Sequence, residues 1–558
     1  YFLKSRGFQQ NSVLSQRDHL NPSEAALTPI NFLDRTNRIF GGRIAIKDLD
    51  TEKALDYSQF VQRTGSLAAA IKRFGTTKWD NIAFLSLNST ALLEAHFAVP
   101  LAKRVLVAMN YRLTPKEIYY VIRHSRSKVL FFDSRLSKIV SEIEGKLRKD
   151  SSFKLIRIGE GQGRIRDDGS YEDFVKHGKK GDMQKEFKLS SERSPISIDY
   201  TSGTTGIPKG VVYSHRGAYL NALADITHSG LNDDSSYLWT LPMFHCNGWC
   251  YTWATIGAGA TNVVISKVEP EKVWQIIQEY SVSHLCAAPT VLVGLASVSD
   301  SIKKNIKLDR KLTILTGGAP PAPKVIENIE NMGAEVIHLY GLTETYGPNT
   351  LCLWRSEWSR LSPEEKSSLK ARQGVPHVNA HSTLVVDEEM NEVPRDGKTI
   401  GEVVMRGNTV MLGYYRDAKT TREAFRGGMF HSGDLAVVHA DGYIELVDRK
   451  KDLIISGGEK ISSIEVEAIL YRHPSILEAA VIAIPDQKWG EVPKAFVSLK
   501  EGSTVSESEL AEFCRRNLAH FKCPKFFEFG TLPRTSTGKV MKFALREKEW
   551  TGLDKRIH

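Results

Sequence analysis

Short, continuous apolar runs alternate along this chain with stretches whose apolar residues recur at helical spacing, and nothing else in the sequence restricts the fold as much. Residues 57–74 carry the helical spacing, and Asn81 opens a run, NIAFLSL, that reads as a buried strand. A helix follows through ALLEAHFAVPLA, then the run VLVAM, a helix at PKEIYYVIRHS and a strand at KVLFFD. The same succession recurs at VWQIIQEYSV, SHLCAAP, KLTILTGG and AEVIHLYG. Alternation of this kind builds a mostly parallel sheet with helices packed on it, an α/β architecture. From about Gly374 to Asp448 the segments shorten and are rich in Val and Gly, which predicts a β-rich subdomain. After Arg449-Lys450-Lys451-Asp452 a small α+β unit begins, in which Ser506-Glu507-Ser508-Glu509 is a capping box and Leu510, Phe513 and Leu518 share one helix face. The predicted division is an N-terminal extension over 1–27, a large domain over 28–448 with 374–448 as its β-rich part, a hinge at 449–452 and a small C-terminal domain over 453–558.

The 558 residues are 41% hydrophobic and 25% charged, which excludes collagen-like, disordered and disulfide-scaffold classes. No apolar run reaches the roughly 18 residues of a membrane span. The formal charge is +10, and residues 515–558, with 11 Lys+Arg against 4 Asp+Glu, hold +7 of it. A basic surface attracts nucleic acid, anionic membrane or phosphorylated small molecules by its field alone. No nucleic-acid-binding motif or patterned aromatic-basic interleaving accompanies it, so nucleic acid is a distant alternative. The six cysteines are scattered through mostly apolar segments, which points to buried thiols in a reducing compartment. Cys246 and Cys250 beside His245 lack the second pair that a zinc site needs. Lys4, Arg6 and Arg17 precede the first acid, Asp18, a transit-like pattern that a frayed terminus explains equally well. Lys555-Arg556-Ile557-His558 is not the peroxisomal tripeptide, and cytoplasm, peroxisome and mitochondrion all remain open.

The segment from Tyr200 to Val211 (YTSGTTGIPKGV), entered from ISID and expected to lead into a helix, concentrates chemistry. Its glycines let backbone N–H groups converge on oxyanions, Thr201, Ser202, Thr204 and Thr205 add hydroxyl donors, and Lys209 adds charge. It is not a Walker P-loop, because Gly210 stands where that motif needs a Mg²⁺-binding Ser or Thr. A flexible Gly/Ser/Thr linker has the same composition. Further along come Gly317-Gly318-Ala319-Pro320, Tyr340-Gly341-Leu342-Thr343-Glu344-Thr345, Gly401-Glu402-Val403, His431-Ser432-Gly433-Asp434, Arg449-Lys450-Lys451-Asp452 and Thr537-Gly538-Lys539.

In order and approximate spacing these motifs resemble those of the adenylate-forming (AMP-binding) superfamily, which includes acyl-CoA ligases, peptide-synthetase adenylation domains and luciferases. The likeness extends over about residues 28–550. It implies that Thr201, Ser202, Gly203, Thr204, Thr205, Gly206 and Lys209 cradle the phosphates of ATP, that Glu344 holds Mg²⁺ and that Thr343 contacts the α-phosphate. It further implies an adenine pocket at Ala319, His338, Leu339 and Tyr340, formed largely by backbone, and a ribose held by Asp434 and Arg449. Lys539 would bridge the attacking carboxylate and the α-phosphate, stabilising charge that grows in the transition state. Lys451 matches the hinge position, Gly457 and Gly458 a loop lining the pantetheine channel, and Lys267 a contact to the CoA nucleotide.

Leu241-Pro242-Met243-Phe244-His245-Cys246-Asn247-Gly248-Trp249 resembles the segment bordering the acyl pocket, with His245 as its gate. Phe244, Trp249 and Met243 would form an apolar wall, with Gly318 and Gly341 also at the pocket. Relatives specific for acetate carry tryptophan at the position of Gly341, so glycine there implies a deeper cavity and an acid larger than acetate, of short or medium chain or with one aromatic ring. Trp354-Arg355-Ser356-Glu357-Trp358 and Lys370-Ala371-Arg372-Gln373-Gly374 resemble the branch of short- and medium-chain, benzoate and cinnamate ligases. The expected activity is ATP-dependent acyl-CoA ligation, with Mg²⁺ as cofactor and ATP and CoA as co-substrates. The alternative is a free-standing adenylation enzyme that loads a carrier protein. Its amino-acid-selective kind needs a carboxylate for the substrate ammonium, which the segment at 241–249 does not offer.

Overall fold

Four sheets organise the chain in the computed structural model, which describes residues 25–161, 165–178, 187–201, 208–534 and 540–550. Ser202, Gly203, Thr204, Thr205, Gly206 and Lys539 lie outside the described residues. The first sheet has nine strands. Its centre, Ile44–Asp48, Thr261–Val264, Ser236–Trp239, His284–Ala287, Leu312–Gly317 and Ala334–Leu342, is parallel throughout, and its edges are antiparallel. In the seven-stranded second sheet, Lys154–Ile158, Val129–Asp133, Asn81–Leu85, Val105–Met109 and Pro195–Thr201 run parallel. Asn81–Leu85, Val105–Met109 and Val129–Asp133 are buried at every residue, which is why they read as unbroken apolar runs.

The helix Thr90–Leu101 is likewise buried at all twelve residues, as expected of a helix apolar on every side. Its two ionisable side chains are therefore partnered. Glu94 receives Arg63 and the Tyr171 hydroxyl, and His96, whose pKa burial pushes down to about 4, lies with Nδ1 2.7 Å from the Leu92 carbonyl.

Residues after the phosphate segment depart from the sequence expectation. The chain turns back as the antiparallel strand Lys209–Ser214, with Thr201 opposite Lys209, and only then enters the helix His215–Ser229, which Ser214 caps. Val211, Val212 and Tyr213 suit a pleated surface better than a first helical turn. The β-rich stretch is also shared out. Ala380–Val386, Gly401–Gly407, Phe430–Val438 and Ile444–Arg449 form an antiparallel sheet. Val375–Pro376, however, completes the nine-stranded sheet and Gly413–Tyr414 the seven-stranded one, so this stretch joins the two large sheets. The C-terminal strands form a fourth sheet over a core of their own. There the capping box of Ser506 and Glu509 is present, and Leu510 and Cys514 are buried, while Phe513 packs edge-on against His473. Five of the six cysteines are buried and all are free. Among the described residues no helix is long and apolar enough to cross a membrane.

Asp225, on the helix His215–Ser229, is 1% exposed, and neither of its carboxylate oxygens has a hydrogen-bond partner among the described residues. Burial raises its pKa well above the carboxylate range, with Tyr237, Cys250, Tyr251 and Cys286 as titratable neighbours. The native state thus holds a proton that the unfolded chain releases near pH 4, and stability falls as pH rises from there through the native pKa. Asp225→Asn is expected to stabilise the protein by about 1–3 kcal/mol at pH 7–8, the gain shrinking towards pH 4. Calorimetric melting across pH checks this, and a pH-independent difference would contradict it.

Candidate functional site

A cleft opens where the strands Leu312–Gly317 and Ala334–Leu342 end, the carboxyl edge at which open parallel sheets bind ligands. His245, Trp249, Gly318 and Gly341 of the predicted acyl set line it, as do Leu339, Tyr340 and Thr343 of the predicted nucleotide set. Its cavity volume is about 30 Å³. Two members of the expected apolar wall stand elsewhere. Phe244 is buried edge-on against Tyr111, and Met243 is fully buried, its N–H donating to Asn88 Oδ1 at 2.8 Å. Trp249 alone of the three reaches the cleft.

Gly341 has a reason for being glycine that the sequence did not disclose. At this point the strand Ala334–Leu342 slips register against Gly347–Leu351, and a Cβ on Gly341 would stand 1.9 Å from the carbonyl oxygen of Gly347. Close backbone approach is therefore a reason for glycine here that stands beside the room its absent side chain leaves.

On the nucleotide side, Asp434 follows the left-handed Gly433 and is nearly buried. The Tyr340 hydroxyl donates to its Oδ2 at 2.8 Å, and Arg449 Nε lies 3.2 Å from its Oδ1 across the pair of strands. The Asp434 carboxylate is the main reason the Arg449 pKa is raised. Glu344 and Lys209 meet through a residue that sequence reasoning missed, Tyr414. Its hydroxyl donates to Glu344 Oε1 at 2.8 Å, and Lys209 Nζ lies 5.3 Å from the centre of its ring. Thr343 is held by its carbonyl, which accepts from the Tyr213 hydroxyl at 2.7 Å, and by Cys246 Sγ, 3.7 Å from its Oγ1. A hard carboxylate oxygen beside a hydroxyl is a donor set that suits Mg²⁺ sharing its shell with phosphates and water.

Other predicted residues are not in the cleft lining. The His338 ring is buried behind it, Nδ1 3.0 Å from the Arg372 carbonyl, its pKa lowered to about 4 by burial. Ala319 is half-buried one residue beyond the left-handed Gly318. Lys267 is 83% exposed and paired with Glu269 at 2.8 Å. Gly457 and Gly458, both at positive φ, form the two-residue turn between Ile454–Ser456 and Glu459–Ile461. Lys451 is half-buried, and burial lowers its pKa. Just beyond it Asp452 pairs with Arg546, and Lys542 pairs with Glu467 at 2.7 Å, so both partners come from, or lie against, the helix Lys542–Trp550.

The wall that carries Trp249 has an unusual backbone. Cys246, Asn247, Gly248, Trp249 and Cys250 all have φ between 43° and 66°, and the Trp249 and Cys250 N–H groups each donate to the carbonyl four residues back. This is a left-handed helical turn. Each L-residue in that conformation costs about 1–2 kcal/mol, so four non-glycine residues hold several kcal/mol that the surroundings must over-determine. The Asn-Gly pair at 247–248 was the one sequence signal for it.

The model of the AMP-binding enzyme family matches residues 33–415, and that of the AMP-binding enzyme C-terminal domain matches residues 465–539. The chain belongs to the AMP-binding enzyme family. It is 44% identical over 539 residues to a 4-hydroxybutyrate–CoA ligase of Metallosphaera sedula, covering 94% of this chain and 95% of that one. It is 40% identical over 545 residues to an acetate/butyrate–CoA ligase of Arabidopsis thaliana, covering 94% of each. The crystal structure of the anthranilate CoA ligase AuaEII with anthranoyl-AMP matches with a TM-score of 0.83 at 24% identity, over 94% of this chain and 98% of that one, a likeness of fold.

The close approach at Gly341 has a measurable consequence. Gly341→Ala is expected to destabilise the protein by about 2–3 kcal/mol, because the strand return and not a flexible side chain must give way. Denaturant unfolding of the purified variant measures it, and a wild-type midpoint would show that the strands can separate there without cost.

Proposed function

We propose that this chain is an ATP-dependent carboxylic acid–CoA ligase. The observation that carries the reading is a single cleft at the carboxyl ends of parallel strands, where the wall residues His245 and Trp249 meet Tyr340 and Thr343, with Asp434 and Glu344 hydrogen-bonded just behind. A carboxylate is a poor acylating agent because its leaving group would be oxide. Its oxygen attacks the α-phosphorus of ATP, pyrophosphate leaves, and the acyl-adenylate now carries AMP as a good leaving group. The CoA thiolate then attacks the acyl carbon and AMP departs, its electron pair on the phosphate oxygen.

In this reading Thr201, Ser202, Gly203, Thr204, Thr205, Gly206 and Lys209 hold the phosphates, and Thr343 contacts the α-phosphate. Asp434, kept in place by Tyr340, accepts from the ribose hydroxyls, and Arg449 donates to the same sugar. Glu344, anchored by Tyr414, holds Mg²⁺, which when bound neutralises phosphate charge. Lys539 bridges carboxylate and phosphate during adenylation. Lys451 turns the C-terminal unit so that Gly457 and Gly458 line the thiol's approach, and Lys267 meets the CoA nucleotide. ATP, pyrophosphate and CoA are all polyanions, so the excess of positive charge in residues 515–558 needs no nucleic acid to account for it.

The acid is a short- or medium-chain or single-ring monocarboxylate. Support for the aliphatic case comes from the relatives named for 4-hydroxybutyrate and for acetate and butyrate. A panel of acids from acetate to benzoate, read by CoA-dependent release of AMP, is expected to place a four-carbon or larger acid ahead of acetate, and acetate as best substrate would refute that part. Product formed only with a carrier protein would favour the alternative loading enzyme. Lys539→Ala is expected to slow adenylation by about 10² to 10³ while leaving thioester formation from supplied acyl-adenylate nearly intact. Equal losses in both half-reactions would contradict its assigned role.

A further inference from the structure

Asn247, at the centre of the left-handed turn, is wholly buried, and its side chain is hydrogen-bonded from three directions. The Leu92 carbonyl can only accept, so His96 Nδ1 carries the proton and Nε2 is an acceptor, to which Asn247 Nδ2 donates at 3.2 Å. That sets the amide's orientation. Its Oδ1 accepts from the Tyr346 hydroxyl at 2.8 Å and from Ser197 Oγ. The main chain of the same residue is held as well, N–H donating to Asp199 Oδ2 at 2.8 Å and carbonyl accepting from Thr252 Oγ1 at 2.9 Å. Ser197 and Asp199 lie on the strand Pro195–Thr201, which runs straight into the phosphate segment. Tyr346, itself at φ 61°, directly follows Thr343-Glu344-Thr345. One neighbour of Asn247, Cys246, touches Thr343, and the other side of the turn presents Trp249 to the cleft.

We propose that Asn247 is a positioning residue that sets acid specificity. By holding the turn left-handed it places Trp249 and His245 relative to Thr343, and so decides which acids lie in line with the α-phosphorus. The inference rests on the ligase reading. Asparagine suits the position twice over, since it tolerates left-handed backbone better than most residues and its amide supplies both a donor and an acceptor.

Two variants separate this from a merely structural role. Asn247→Gly keeps the left-handed backbone accessible and removes the amide, and Tyr346→Phe removes one of its hydrogen bonds. A structural role alone would lower melting temperature and active fraction, scaling kcat/KM for every acid equally. A positioning role changes the ratio of kcat/KM between the best acid and one that differs by a methylene or a ring. The expected shift in that ratio is about tenfold for Asn247→Gly, with a smaller shift in the same direction for Tyr346→Phe, which carries the test alone should the glycine variant not fold. Variants that fold and keep the wild-type ratio overturn the inference and leave the ligase reading standing. Wild-type protein that forms no acyl-CoA from any acid overturns both.

Discussion

On this backbone Gly341 and Gly347 approach too closely for a Cβ to lie between them, and the cleft forms around that contact. It lets the strand Ala334–Leu342 reverse into Gly347–Leu351 within one short turn, and Thr343 and Glu344 sit in that turn. Gly347 in turn lies under Trp249, whose Cα a Cβ there would approach to 3.2 Å. The residue that contacts phosphate in the proposed mechanism and the residue that walls the acyl group are therefore positioned by the same absence of side chains. Hydrogen bonds from Tyr213 to Thr343 and from Tyr414 to Glu344 complete the arrangement rather than create it.

The parallel cores of both large sheets were readable in the sequence because strands buried on two faces leave unbroken apolar runs, as in VLVAM and KVLFFD. Membership of a sheet was less readable. Gly413–Tyr414 pairs with Val211 and Val212 in the seven-stranded sheet rather than with the β-rich strands around it in sequence, and such pairing depends on residues far away in the chain, which local pattern does not encode. The strand Lys209–Ser214 was missed for a related reason: its glycine-rich approach resembles the entry to a helix, and only pairing with Pro195–Thr201 makes it a hairpin.

Motif order located most of the cleft, since His245, Gly318, Leu339, Tyr340, Gly341 and Thr343 all line it. What motifs miss is the layer behind. Tyr414 and Tyr213 act on Glu344 and Thr343 through hydrogen bonds that exist only after folding, and neither carries a chemistry that would single it out beforehand. Phe244 and Met243, which the resemblance of the segment 241–249 placed at the acyl wall, are buried outside the cleft lining, because successive side chains leave the backbone in different directions. Gly341 shows a third kind of shortfall, since an absent side chain can mean room for a ligand or no room for anything.

The ion pairs beside Lys451 limit how the C-terminal unit can turn. Asp452 is buried against Arg546, and Lys542 lies among Glu467, Asp448 and Asp452. Separating such pairs would strand charges in a poorly hydrated interior, a change that costs several kcal/mol. Asp452 is thus held to the helix Lys542–Trp550, while Arg449 lies beside Asp434 in the sheet on the other side. The Ser463 N–H also donates to Asp448 Oδ2, and the Ser462 hydroxyl to the Val447 carbonyl, so the strand before the joint is stitched to the unit after it, and any turn about Lys451 would have to exchange those bonds for others.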